Sequence, residues 1–191
     1  FSASRLFLPG GITPKEGHSY FLIPTGSSWE QVIDTLGRNV NIRNQRIFIW
    51  TAGKKNYPEH IKPGRYSVTG KMSYNAFVNM LRAGRQVPVK VTFNNIRNIY
   101  ELAGKAGRQI EADSASIAGF LSDPANYVKD GFTRENIISV FIPDTYEFYW
   151  NTSAEGFYSR MLKEYNRFWS GERKEKAEAL NLTPLRSEER R

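Results

Sequence analysis

The sequence predicts an α+β protein, and three observations carry that reading. Its apolar runs are strand-sized, as in Tyr20-Phe21-Leu22-Ile23, and turn residues such as Pro24-Thr25-Gly26 bound them. Other segments place apolar residues at helical spacing behind Ser, Thr or Asp. Hydrophobic residues make up 40% of the 191, enough for a core, and none of the apolar runs approaches the roughly 18 residues that cross a bilayer.

The elements follow in order. Residues 1–18, with Pro9-Gly10-Gly11 and Pro14, read as an extended lead-in. A strand at residues 20–23 ends in the Pro-Thr-Gly turn. Ser27 and Glu30 form a capping box for a helix carrying Trp29, Val32, Ile33 and Leu36, which Gly37 closes. A second helix covers residues 44–51, with Ile47, Phe48 and Trp50. Lys62-Pro63-Gly64-Arg65-Tyr66 turns into a strand. Ser73 caps the next helix, where Met72 and Phe77 make a hydrophobic staple and Gly84 marks the end. Residues 87–93 form a strand, with Pro88 near its start, where lost pairing is tolerated. A helix from Ile99 is interrupted near Gly104 and Gly107, and Asp113 caps another. Thr152 and Glu155 form a capping box for a long helix whose stripe is Phe157, Met161, Tyr165 and Phe168. Gly171 breaks it, and residues 172–180 form a charged helix.

Residues 140–153 carry the chemistry. This stretch packs five aromatics, two carboxylates and a Pro143-Asp144-Thr145 turn together. Proline fixes φ and withholds a donor, and Asp and Thr side chains bond local backbone. Tyr146, Phe148 and Trp150 then alternate with Glu147 and Tyr149, as in a two-faced strand. Aromatic rings beside carboxylates and hydroxyls suit sugar rings. The candidate substrate-binding residues are Asp144, Thr145, Tyr146, Glu147 and Tyr149. The plainer reading is a buried aromatic strand after a turn, since most aromatic stripes are core.

Other chemistries find little support. With no cysteine there is no disulfide framework and no Cys-based metal site. His18 and His60 lack the partners of a metal site or a triad. No P-loop, GxGxxG or GxSxG is present, so neither cofactor nor metal is expected. The net charge of +8 invites an anionic partner. The basic residues are scattered in ones and twos without a nucleic-acid-binding motif, so a polyanionic cell wall or a membrane surface fits better than nucleic acid.

Two resemblances sharpen these expectations. The strand-helix-helix-strand order over residues 19–70, with Pro-Thr-Gly-Ser-Ser-Trp and Lys-Pro-Gly-Arg-Tyr at its turns, resembles a LysM-like subdomain. The Pro143-Asp144-Thr145-Tyr146 motif resembles that of the YceG-like (MltG) family of endolytic murein transglycosylases. So does the passage from Met72-Ser73 through Leu81 and Gly84 to Val91-Thr92-Phe93. The family's Pro-Glu-Gly turn is replaced here by Asn94-Asn95-Ile96.

The resemblance implies a lead-in over 1–18, a LysM-like βααβ subdomain over 19–70 and, over 71–191, the N-terminal part of a mixed α/β catalytic domain. It implies a lytic transglycosylase that cuts peptidoglycan glycan strands, leaving 1,6-anhydro ends through a single Glu acid/base. That Glu follows Leu-Thr-Pro within an Ala-Ser-Ile-Val-Glu motif. Leu182-Thr183-Pro184 is present but the motif is not, so no catalytic residue is assigned, and the tail reads as truncated or gapped near 185. Glu188 and Glu189 read as solvated. The parent is expected at the extracytoplasmic (periplasmic) face of the membrane, beside cell-wall synthases, on an N-terminal transmembrane anchor ahead of residue 1. The alternative is a non-catalytic peptidoglycan-binding module. A pyridoxal-phosphate lyase would need a longer chain and a lysine in a cofactor pocket.

Overall fold

The computed structural model describes residues 10–179 apart from 18, 19 and 95, and the side chains of 174 and 178 are not described. The lead-in before residue 10, His18 and everything from 180, including Leu182-Thr183-Pro184, Glu188, Glu189 and the expected break near 185, lie outside the described residues.

The fold is α+β. In chain order it runs β1 (Ile12–Pro14), β2 (Phe21–Ile23), α1 (Trp29–Asn39), β3 (Val40–Ile42), α2 (Gln45–Lys54), β4 (Gly64–Tyr66), α3 (Tyr74–Ala83) and β5 (Val89–Thr92). It continues with α4 (Ile99–Ala106), α5 (Ser114–Ser122), three short 3-10 turns, β6 (Thr145–Phe148), α6 (Ala154–Phe168) and α7 (Glu172–Ala179). Two compact units divide it. One runs to Pro88 and includes Tyr149–Asn151; the other takes Val89–Phe148 and resumes at Thr152. No helix among the described residues is long and apolar enough to cross a membrane.

In the first unit two antiparallel ladders interleave along the chain. β2 pairs with β4, setting Phe21 opposite Tyr66 and Leu22 opposite Arg65. β1 pairs with β3, setting Ile12 opposite Ile42. The period of two sends Phe21, Ile23 and Tyr66 inward and leaves Leu22 exposed. Helix α1 adds Val32 and Leu36 to that core, α2 adds Phe48, and α3 adds Phe77 and Leu81. Phe77 lies 6.2 Å from Phe21 and 6.0 Å from Phe48, ring centre to ring centre.

Local chemistry explains the helix limits. The α1 cap is Ser28 with Gln31, one residue beyond the expected Ser27 and Glu30. Ser27 is taken by the turn, its hydroxyl donating to the Pro24 carbonyl at 2.7 Å. Gly37 does not end α1, which continues to Asn39 and delivers Val40 directly into the β1–β3 ladder. Here tertiary pairing overrides a weak local stop. Helix α3 starts at Ser73, whose hydroxyl accepts from the Ala76 amide at 3.2 Å. It closes in a Schellman turn, with Gly84 at φ 70°, the Gly84 amide on the Leu81 carbonyl and the Arg85 amide on the Met80 carbonyl.

The second unit is built on one ladder, β5 against β6, in which Val91 faces Tyr146 and Val89 faces Phe148. The ladder stops at Phe148, short of the expected Trp150, because Val89 follows Pro88, which has no N–H to extend it. Helix α4 is continuous through Gly104 and ends at Ala106. Asp113 caps α5, accepting from the Ser116 amide at 2.7 Å. Helix α6 is capped by Ser153, which accepts from the Gly156 amide at 3.0 Å, rather than by its neighbour Thr152.

Two predictions follow from this packing. Gly64 is buried at φ 149°, and a Cβ there would overlap the Gln86 side chain. Gly64→Ala should therefore cost about 2 kcal/mol or more, read by chemical denaturation; an unchanged midpoint would contradict the geometry. The second concerns alkaline pH. Burial pushes the Tyr66 phenol up to about 12, and burial, followed by the nearby Tyr66, pushes Tyr57 up as well. In the unfolded chain both ionise near 10. The folded state therefore keeps their protons longer, so this stability is whole below about pH 10 and is lost as pH rises from there through the folded values. The tyrosinate absorbance of Tyr57 and Tyr66, isolated by difference against their Phe variants, should thus rise with unfolding rather than ahead of it. Tyr57→Phe removes a buried hydroxyl with no protein partner, and should move alkaline unfolding upward without loss of stability at neutral pH.

Candidate functional site

The Pro143-Asp144-Thr145 turn enters β6 and is held by its own chemistry. The Asp144 carboxylate accepts from the Thr145 amide at 2.6 Å. The Asp144 carbonyl accepts from the Phe93 amide at 2.9 Å, which extends the β5–β6 pairing by one bond. The Thr145 and Thr92 hydroxyls meet across the ladder at 2.8 Å. The Tyr146 phenol donates to the Ile142 carbonyl at 2.7 Å, so it clips the chain just ahead of the proline.

The strand period sorts the candidate residues. Tyr146 and Phe148 face inward with Phe141, and are buried. Thr145 and Glu147 face outward, as Asp144 does before them. Most of the expected aromatic wall is therefore core. Glu147 stands opposite Lys90 across the ladder, an opposite-charge pair of the kind that stabilises sheets by a few tenths of a kcal/mol. Tyr149 lies beyond the strand and is 59% exposed.

Beside the turn is a cleft of about 320 Å³, lined by Asp144, Tyr146, Glu164, Arg167, Phe168 and Arg173 among others. The last four come from α6 and the start of α7. Glu164 is buried, with one oxygen 2.8 Å from the Arg160 guanidinium and the other paired with Arg167. Both of its oxygens are thus committed to guanidinium groups, a poor arrangement for delivering a proton to a leaving group. Arg173 lies over the Phe168 ring at 4.0 Å. The cleft therefore offers an exposed carboxylate, two guanidiniums and an aromatic edge, suited to a ligand with hydroxyls and an acidic group.

Sequence reasoning found Asp144, Thr145 and Tyr146 but not Glu164, Arg167 or Arg173. Glu164 with Arg160 and Arg167 is visible in the sequence as a charge pattern at helical spacing. Its place beside the turn is long-range and has no local signal. Among the described residues no three His, Asp or Glu side chains gather as metal ligands.

A model of the YceG-like family matches residues 21–188. A crystal structure from Listeria monocytogenes described as YceG-like aligns with a TM-score of 0.44 and 19% identity, over 86% of this chain. This chain covers 59% of that protein's length. No curated protein matches the chain. The family match runs through both units and contains the Pro-Asp-Thr-Tyr turn. This chain belongs to the YceG-like family.

Proposed function

We propose that this chain is the glycan-recognising portion of a peptidoglycan lytic transglycosylase. The observation that carries the reading is the cleft beside the Pro-Asp-Thr turn, whose lining includes Asp144, two arginines and an aromatic ring. Sugar hydroxyls pair well with carboxylates, and guanidiniums match the carboxylates borne by muramyl units and their peptides. Asp144 and Thr145 position the glycan, and Tyr146 holds the turn that presents them. Glu147 supports the strand from its outer face.

In the whole protein, one Glu protonates the glycosidic oxygen and then serves as base, while the sugar's own 6-hydroxyl attacks the anomeric carbon. Glu164, tied to two arginines, is not that residue. The protein works at the extracytoplasmic face of the membrane, on glycan strands near the synthases that make them, and its first unit contributes LysM-like affinity for the same polymer.

Titration of the chain with muropeptides or chitooligosaccharides should move the amide signals of 143–148 and of α6 near Arg167. Asp144→Asn, which keeps an oxygen to accept from the Thr145 amide, should weaken binding by roughly 5- to 100-fold, the range for one charged hydrogen-bonding partner, with little change in thermal midpoint. Binding that leaves those signals still would place recognition elsewhere, and a failure of the full-length protein to release 1,6-anhydromuropeptides would reject the lytic reading. Tyr146→Phe behaves differently. It should cost about 1 kcal/mol of stability through loss of the clip to Ile142, measured by denaturation, and weaken glycan binding only as far as the turn loosens.

A further inference from the structure

We propose that the first unit carries a second site, a cationic cleft formed by Lys62, Arg82 and Arg85, that binds phosphate groups borne by a larger molecule. The cleft measures about 510 Å³, and His60 and Asn79 complete its lining with Ala83. Among the described residues, no carboxylate lines it.

Separate stretches of chain bring the charges together. Lys62 lies in the loop ahead of β4, where the Tyr66 phenol donates to its carbonyl at 2.9 Å. Arg82 sits in the last turn of α3. Arg85 follows the Schellman turn, its amide held by the Met80 carbonyl at 3.1 Å. The Lys62 side chain runs so close over Gly84 that a Cβ there would stand 2.9 Å from its Cδ. The backbone at both walls is thus fixed, while the charged ends stay exposed. His60 Nδ1 donates to the Asn56 carbonyl at 2.9 Å, which settles the ring.

The convergence of three cations on one concavity argues for a ligand. Arg38, Lys105, Arg160, Arg167 and Lys176 each pair with a carboxylate on their own helix. Among the described residues, Lys62, Arg82 and Arg85 pair with none. A helix C-terminus accounts for Arg82, since cations there meet the exposed carbonyls. Arg85, just past the Schellman turn, and Lys62, over Gly84, gather at the same helix end, so three cations share it. Three like charges around one concavity repel one another and focus a positive potential in it. Two guanidinium forks and one ammonium match phosphate oxygens, and Asn79 adds a neutral donor. The space exceeds a lone phosphate, so the group arrives on a lipid headgroup or a soluble phosphate ester.

The experiment uses the full chain with two probes. Inorganic pyrophosphate is followed by amide shifts at 60–62 and 79–85. Vesicles of phosphatidylglycerol in phosphatidylcholine are followed by co-sedimentation against phosphatidylcholine alone. Arg82→Gln and Arg85→Gln should each weaken the response about fivefold, with amide spectra that stay those of the folded chain and at most a small fall in the Arg82→Gln thermal midpoint from its place at the helix end, and added salt should weaken it further. A pyrophosphate response without vesicle binding assigns a soluble phosphate ester, and preferential binding to the phosphatidylglycerol vesicles assigns a headgroup. No response to either probe, or variants that respond as the parent chain does, would overturn the site. None of these readouts depends on glycan binding.

Discussion

The Phe157 ring stands 5.8 Å from Phe93, 5.7 Å from Phe141 and 5.2 Å from Phe148, centre to centre. A two-stranded ladder alone is marginal in water, so β5 and β6 need a lid of apolar surface. Phe157 supplies it from the first turn of α6, at the depth that the Ser153 cap sets. Each well-placed aromatic pair adds about 0.5–1.5 kcal/mol beyond burial. Phe141 precedes the Pro-Asp-Thr turn and Phe148 ends the strand that follows it, so a single ring anchors both ends of the candidate site. The far end of the same helix brings Arg167 and Phe168 to the cleft. Core and site are thus the two ends of one rigid element.

Most helices of this fold are legible in the sequence because their ends are chemically marked. Asn44, Ser73, Asn98 and Asp113 each accept a backbone amide of the helix that they open. Where two hydroxyls stand side by side, at Ser27-Ser28 and Thr152-Ser153, the first is the natural guess and the second is the cap. In the former case the choice rests on the Ser27 bond to Pro24, which no spacing rule reveals. Strands β1 and β3 were not legible. Three residues are too few to show a period of two, and their pairing rests on distant partners, including bonds from Gly10 and Ile12 to the Met72 carbonyl.

The candidate site was legible in part. A Pro-Asp-Thr string announces a turn, and the turn is there. Alternation says that Tyr146 and Phe148 share a face, but not which face is wet. The register decides that, setting them against Val91 and Val89, both buried. The cleft's other wall comes from α6 and α7, whose Glu164, Arg167 and Arg173 gave no sign in the sequence of which turn they approach. Intrahelical charge spacing is local information, and the meeting of a helix with a turn is not.

The interleaved order of the first unit bears on how it folds. β1 joins β3 and β2 joins β4, so neither ladder is a hairpin and each loop encloses one strand of the other pair. Closing long loops costs chain entropy before contacts repay it. Once β1 and β3 have met, however, α1 is already folded back between them, and the path left for β2 to find β4 is effectively shorter. The second closure therefore inherits order from the first. A chain cut between β1 and β2 would keep every residue of the strand-helix-helix-strand unit, yet lose that head start and leave β3 with an unpaired edge.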